Sequence, residues 1–526
     1  MNNKTLCSIV VCMLLYFQFF AQGRIISGTV TDNTGSGLPG VTVLQKNSTS
    51  GTISDENGNF SVNVNDNETI LVFSYVGFST MEVAVGAQTQ LSIVLSEDVS
   101  TLSEIVVTGY GSQRKSQTTG AISSISAKQI SELPITNLAQ ALTGRAAGVN
   151  VTQSGSKPGS VPKIIIRGRR SFNAGNDPLY VVDGIPLSAG YEDINPNDIQ
   201  SLEVLKDATA TAIYGARGAN GVVLVTTKRG STKKGKTTIT LDTYAGRSDA
   251  LDKIELFSGP EFAEYVREAY RATNGYKDAA GNPVPTGVAD AAADAKVAVL
   301  GGDPAVAAGI AANTNTNYQD LILKPGLMQN HTLGVQGGND KTSFYLSAGF
   351  FQDKGITKGL DYTRYSLRAN IDHTINKVLK VGLSSYTMYS NRNGENLNPY
   401  SFALNQNPLA RVYDDNGNPI FSPTNDALLT NPLFEIIPGA QVDNTKRYRI
   451  FNSLYAEAQI TDGLKYRVNF GPDFTLGRYG RFIGSLTNAR KGGDAQAANE
   501  NRFGFNWTLE NILSYEKTLG NHHFNF

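Results

Sequence analysis

Between Thr363 and Asp372 the chain reads TRYSLRANID, and apolar residues fall at alternate positions. Tyr365, Leu367, Ala369 and Ile371 oppose Arg364, Ser366, Arg368, Asn370 and Asp372. A period of two predicts a β-strand with one apolar and one charged face. GLKYRVNF repeats the pattern, with Leu464, Tyr466, Val468 and Phe470 against Lys465, Arg467 and Asn469. In KTSFYLSAGFF, Phe344, Leu346, Ala348 and Phe350 oppose Ser343, Ser347 and Gly349, while Tyr345 sits out of place on the polar side. This regime starts near Lys236. Thr461-Asp462-Gly463 and Gly337-Gly338-Asn339-Asp340 have the composition of hairpin turns. Asp249 to Pro325 and Gly394 to Asp443 are far longer connections, and SGPEFAEYVREAYRATNG in the first predicts a helix capped near Ser258. Alternation alone fits either a water-soluble β-sandwich or a transmembrane β-barrel.

Two other regimes precede it. From Ile25 to about Ser96 short alternating runs (IISGTVTD, GVTVLQK, GNFSVNV, TILVFSYVGF, TQLSIVL) are separated by turn residues, which predicts a small antiparallel β-sandwich. Gly35, Gly37 and Gly40 spell GxGxxG, but Pro39 interrupts it and strands follow, so it reads as a turn and not a nucleotide loop. Asp55, Asn57 and Asn59 resemble a calcium loop, yet Phe60 stands where glycine is required and Asp66 where a bidentate Glu is expected; a hairpin turn fits better. From Ile122 to Lys228 the pattern is mixed. AKQISELPITNLAQALTGRAAGV predicts a helical turn and then a helix from Asn137, and PKIIIRGRR and PLYVVDGIP predict buried strands around a tight Asp183-Gly184 turn. NPNDIQSLEVLKDATATAIYGARGANGVVLVTTKRG predicts turn, strand, helix, glycine loop and strand, completing an α+β domain.

Composition narrows the chemistry. Lys and Arg total 46 and Asp and Glu total 46, so no basic field argues for nucleic acid. The opening MNNKTLCSIVVCMLLYFQFFAQGR has Lys4 ahead of an apolar run from Cys7 to Phe20, the layout of a secretory signal peptide cleaved near Ala21. The run is shorter than a membrane-crossing helix requires. Cys7 and Cys12 both lie within it, so the mature chain has no thiol for a disulfide, nucleophile or metal. The four histidines, His331, His373, His522 and His523, are spread over separate predicted strands or opposite faces, which is poor ligand geometry. No GxSxG elbow, HExxH or phosphate loop occurs, and Asp414-Asp415 lies in a turn-like YDDNGNP. The reading is a non-enzyme with no metal and no cofactor.

Three motifs carry a family resemblance. The segment SGTVTD to ILVFSYVGF resembles the carboxypeptidase-regulatory-like domain, an accessory β-sandwich. TNLAQALTGRAAGVNV, IIIRGRRSFNAGNDPLYVVDGIP and YGARGANGVVLVTTKRG together closely resemble the plug domain of TonB-dependent outer-membrane transporters of the SusC/RagA type. With the plug in front and a signal peptide at the start, the alternating strands read as barrel, because closure satisfies every backbone group in lipid. Apolar faces would meet lipid and polar faces the lumen; the tight turns suit the periplasmic side and the long connections the extracellular side.

The fold class expected is mainly β: a small N-terminal β-sandwich, an α+β plug domain and part of a large antiparallel transmembrane β-barrel. Its domains are a signal peptide over 1–21, sandwich over 22–98, TonB-box linker over 99–114, plug over 115–229 and N-terminal barrel over 230–526. The resemblance implies roughly 22 strands. After Arg229, at roughly 25 to 30 residues per strand, there is room for about ten to twelve, about half, so the chain is read as the N-terminal portion of a longer protein.

The resemblance further implies energised import across the outer membrane of a Gram-negative bacterium, with the sandwich and linker in the periplasm. Partners would be TonB with ExbB and ExbD, a SusD-like surface lipoprotein, outer-membrane lipid, and an oligosaccharide or peptide substrate. LSEIVVTGY resembles a TonB box: Leu102, Ser103, Glu104, Ile105, Val106, Val107, Thr108, Gly109 and Tyr110 offer a β-prone strand with glycine and polar slack for pairing to a partner's sheet edge. The alternative is a last strand of the sandwich. Arg167, Asp183, Gly184 and Arg217 are structural or gating candidates, with Arg167 and Arg217 expected to form plug-to-barrel ion pairs. A TonB-linked signalling receptor and a passive porin or surface adhesin remain as competing functions. Nothing in the residues specifies the substrate.

Overall fold

The computed structural model describes residues 24–525 except 34, 47, 49, 65–68, 76–77, 97–104, 109–110, 115–120, 133, 154, 174, 188–190, 208–210, 231–236, 274–279, 284–302, 427 and 521. The expected signal peptide, with Cys7 and Cys12, therefore lies outside the described residues, as do Leu102, Ser103, Glu104, Gly109 and Tyr110 of the expected TonB box. The chain divides into two compact units.

The first unit holds the sandwich. Its strands are β1 (Arg24–Thr31), β2 (Thr42–Gln45), β3 (Gly51–Ile53), β4 (Asn59–Val64), β5 (Ile70–Ser74), β6 (Met81–Ala84) and β7 (Gln90–Val94). They form one sheet ordered β4-β1-β7 and a second ordered β3-β2-β5-β6. The pairing of β1 with β7 is parallel, a departure from the all-antiparallel expectation. Alternate residues of both sheets, among them Ile26, Val30, Phe60, Leu71, Phe73 and Ile93, close one buried core. The pseudo-calcium loop is a turn: the Asp55 carboxylate accepts from the backbone N–H of Asn57 and Asn59 at 2.9 and 2.8 Å, with Gly58 at φ +81°. Asp414 to Asn418 repeats the same bonds at 2.9 and 2.8 Å. In both, the carboxylate is committed to its own turn.

The linker contains two short strands, β8 (Ile105–Thr108) and β9 (Gly111–Arg114), which form a two-stranded sheet. Neither belongs to a sandwich sheet.

The second unit begins with the α+β domain. It contains β10 (Ile122–Ser126), β11 (Val149–Thr152), β12 (Lys163–Ile166), β13 (Leu179–Val182), β14 (Ile185–Leu187), β15 (Ile199–Leu205) and β16 (Val222–Thr227). Five of these make a mixed sheet ordered β10-β15-β16-β13-β14. The helix expected from Asn137 spans Leu138–Ala141, and Asn137 caps it by accepting from the N–H of Gln140. A capping box between Ser126 and Gln129 starts the preceding turn, Ala127–Ser131. The helix expected after β15 is instead a 3-10 segment, Ala212–Gly218, broken by Gly215 at φ +56°. Glycines at 215 and 218 weaken an α-helix there, and the tighter turn lets Tyr214 pack against Val222 and Leu224.

The remaining strands are β17 (Thr238–Ser248), β18 (Gly326–Gly338), β19 (Thr342–Lys354), β20 (Asp361–Thr374), β21 (Leu379–Asn393), β22 (Gln441–Thr461), β23 (Leu464–Ile483), β24 (Gln496–Leu519) and β25 (His522–Asn525). They pair in sequence order into one antiparallel sheet. Nine strands are described where ten to twelve were expected. The difference comes from strand length and connections: β22, β23 and β24 run for 21, 20 and 24 residues, about twice what a tilted strand needs to cross a bilayer. Asp462-Gly463 makes the tight turn between β22 and β23, with Gly463 at φ +81°. The connection after β17 carries the expected helix, Gly259–Thr273, and Ser258 and Glu261 exchange capping bonds.

Candidate functional site

The sheet wears its apolar residues outside. Leu333, Leu346, Tyr365, Leu367 and Leu454 are 40–60 % exposed (47, 44, 51, 60 and 40 %), whereas Ser347, Arg364, Ser366, Arg368 and Asn370 are all buried. A water-soluble sandwich buries the opposite face. His331, Phe350, Tyr365, Tyr389 and Tyr448 face one another across five strands in one row, with ring centroids 4.7–6.2 Å apart where 6.1, 5.2, 6.2 and 4.7 Å are the successive spacings. Such a row on the outer face is the aromatic girdle of a membrane barrel, and it accounts for His331 without a metal. Among the described residues, no group of three His, Cys, Asp or Glu is placed to hold a metal ion.

The buried polar face is covered by the α+β domain, and β20 is the spine of the contact. Asp183 and Gly184 form the two-residue turn between β13 and β14, at φ +48° and +88°, a pair of values that Asp-Gly tolerates. The turn carries the Asp183 carboxylate onto the sheet. It accepts from the Thr227 hydroxyl at 2.7 Å, the Thr227 N–H at 3.1 Å and the Ser384 hydroxyl at 2.7 Å, with the guanidinium of Arg368 at 3.6 Å and that of Arg229 at 3.8 Å. Burial by itself would raise its pKa, but Arg229, Arg368 and the two hydroxyl bonds outweigh it and hold the carboxyl below its usual value.

Arg368 also reaches the second carboxylate, Asp198, at 3.6 Å. Asp198 accepts from the hydroxyls of Tyr345 at 3.0 Å and Ser347 at 2.5 Å, which explains why a tyrosine stands on the polar side of β19. Two residues along β20, Asn370 donates to the Thr227 hydroxyl at 2.8 Å and the Lys228 carbonyl at 2.6 Å, and Asp372 receives Arg229 at 2.8 Å. A third carboxylate, Asp193, lies 3.3 Å from Arg447 and 3.4 Å from Arg449, while Arg449 grips Asp473 with two bonds at 2.8 and 2.7 Å. Burial dominates at Asp193; despite Arg447, and with Glu192 adding repulsion, its pKa is pushed up to about 6.

The expected contact arginines are corrected by this geometry. Arg167, at φ +55° in an exposed turn, and Arg217, exposed on the 3-10 segment, make no ion pair with the sheet among the described residues. The domain's carboxylate contacts with the sheet come from the Asp183 hairpin tip and residues 191–198, with the Thr227–Arg229 end, Gly159 and Ile135 adding further bonds, and neither arginine is on those segments. Most of these pairs run the other way, with the domain supplying aspartates and the strands supplying arginines; Arg229 with Asp372 is the exception. Asp193 and Asp198 lacked any sequence signal beyond lying in a turn; the alternating arginines of β20 and β22 were the available clue.

Comparison with known proteins accords with this geometry. Residues 114–222 match the TonB-dependent receptor plug domain, and residues 26–107 match the CarboxypepD_reg-like domain. TonB-dependent receptor P3 of Formosa agariphila is 35 % identical over 99 % of this chain and 49 % of its own length. The chain belongs with the SusC/RagA-type TonB-dependent receptors. TonB-dependent receptor SusC of Bacteroides thetaiotaomicron is 32 % identical over 70 % of this chain and 34 % of its own length. A solved structure of the RagAB peptide importer, in an open-open state, superposes with a TM-score of 0.65 over 80 % of this chain and 47 % of that chain, at 24 % identity, a likeness of fold. The chain thus spans about half the length of the curated relatives it matches. Receptors of this type are outer-membrane proteins and not enzymes, and the docked domain of this chain is a plug.

Proposed function

We propose that this chain supplies the plug and part of the wall of an active importer, energised by TonB traction on Leu102 to Tyr110. The observation that carries this is the position of β8: Ile105–Thr108 is a strand that belongs to neither sandwich sheet and stands immediately before the plug. An outer membrane has no nucleotide supply of its own, so unseating a buried polar interface needs work from the inner membrane. Pairing between a β-prone segment and the sheet edge of TonB, itself driven by ExbB and ExbD, delivers that work through main-chain bonds. The first plug element to be loaded is β10, an edge strand whose one sheet neighbour among the described residues is β15. The plug's aspartate–arginine contacts resist until ligand and traction act together.

On this reading the sandwich and linker lie in the periplasm, the long connections face outward, and a SusD-like lipoprotein lids the barrel over an oligosaccharide or peptide too large for passive pores. The solved structure of the RagAB peptide importer, a likeness of fold, supports the peptide half of that range. The test is cross-linking in cells: with Val107→Cys in the receptor and a cysteine in the TonB C-terminal domain, a disulfide-linked adduct is expected. Adding a proline at Thr108 removes a ladder donor and should abolish the adduct. An adduct indifferent to the proline would end the strand-pairing account.

A further inference from the structure

Between plug and sheet, at the end where the two long connections leave, lies a cavity of about 370 Å³. Asn137, Glu192 and Asp193 line it from the plug, and Arg364, Arg392 and Arg447 from the sheet. Two of the three guanidiniums are occupied. Arg392 donates to Glu395 at 2.8 Å and to the Gly159 carbonyl. Arg447 pairs with Glu192 at 3.1 Å and Asp193 at 3.3 Å, and Asp193 is shared further with Arg449. Arg364 is different. It is 3 % exposed and, among the described residues, has no carboxylate within ion-pair distance; its Nε, like that of Arg392, has no hydrogen-bond partner, the Phe351 ring lies 5.4 Å away, and Asp193, already bridged by Arg447 and Arg449, acts on it only at longer range.

A buried cation without a counter-charge in direct contact is costly, and a cavity wall is where such a charge can wait for a ligand to neutralise it. The volume suits one sugar or amino-acid residue with its water. We propose that this cavity is an anion subsite for the cargo, in which Arg364 receives a carboxylate or equivalent oxyanion, so that the imported molecule is acidic. The inference rests on the import reading and sharpens it: a neutral oligosaccharide or a peptide without an anionic group there would leave Arg364 unpaired. The planar guanidinium offers two parallel donors to such a group, and the carboxylates around it are already engaged, so the incoming anion meets little competition.

The test uses receptor extracted in detergent from outer membranes and two matched pairs of probes: glucuronate with its methyl ester, and N-acetylalanine with its amide. At least one acid should bind roughly tenfold or more tightly than its neutral counterpart. Arg364→Gln should erase that preference and Arg364→Lys should keep part of it. Which pair discriminates tells whether the oxyanion comes from an acidic sugar or from a peptide. Equal binding of acid and neutral probe, failure of both acids to bind, or an undiminished preference in Arg364→Gln overturns the proposal. Binding of inorganic sulfate with no preference for either acid also overturns it, since the site is then a counter-ion seat. The Val107 cross-link reports separately on import: a receptor that cross-links without discriminating anions loses only this inference, and one that discriminates without cross-linking loses only the coupling.

Discussion

Three arginines on the polar face of the sheet, similar in sequence, have different physical situations. Arg449 is saturated by Asp473 and Asp193, Arg368 bridges Asp183 and Asp198 at longer range, and Arg364, among the described residues, has no carboxylate within ion-pair distance and feels Asp193 only from further off. Breaking a buried pair by removing one partner costs roughly 3–5 kcal/mol, because the survivor is left charged and dry. Asp193 gives this a pH signature. Its carboxyl titrates at about 6 in the folded plug against 3.8 for the free side chain, so between those values the folded state holds a proton that the unfolded state has released. The associated stability is present below about pH 4 and is lost as pH rises through about 6. The charges facing it are Arg447, Arg449, Arg364 and Glu192. Asp193→Asn is expected to flatten the pH dependence of thermal unfolding in that window; a curve parallel to the parent's means that another group titrates there. Asp183 works in the opposite sense, with stability present above its free value and lost as acid reaches its depressed pKa.

At the scale of elements, the seating of the Asp183 hairpin depends on a missing side chain across from it. A Cβ on Gly471 of β23 would lie 2.6 Å from Cγ2 of Ile185, the residue that follows the turn. Gly477 on the same strand has nothing nearer than 3.9 Å. Gly471→Ala is therefore expected to destabilise plug seating by about 1–3 kcal/mol, read as a lower unfolding midpoint and faster proteolysis of the plug, whereas Gly477→Ala should match the parent. Equal behaviour of the two variants would show that the hairpin tip adjusts freely. Sequence reading identified this turn, the strands beside it and the helix start at Asn137, because Asp-Gly, alternation and helix starts are local signals. The helix expected before Val222 was not recovered, because glycine content and the packing of Tyr214 favoured a tighter turn.

For the whole molecule, the outward apolar face is the feature that separates a membrane wall from a soluble sheet. Leu367, 60 % exposed and between the aromatic row and the tight-turn end, faces lipid. Leu367→Arg should lower the folded fraction after reconstitution into vesicles by about 2–4 kcal/mol, measured by heat-dependent gel migration, while Leu251→Arg, fully exposed in a long connection, should be neutral. A neutral Leu367→Arg would place that face in water. Alternation in TRYSLRANID determined that β20 has one apolar and one charged face, and Asp-Gly, the capping residues and the plug motifs determined turns, helix starts and family. Those are nearest-neighbour properties of the chain. Tertiary structure alone decided that the plug brings aspartates to arginines of the strands and that, among the described residues, Arg167 and Arg217 stay outside this contact and Arg364 is left without an ion pair. Ion pairs such as Asp183 with Arg368 join residues far apart in sequence, and the geometry of docking, not local pattern, selects which charges meet.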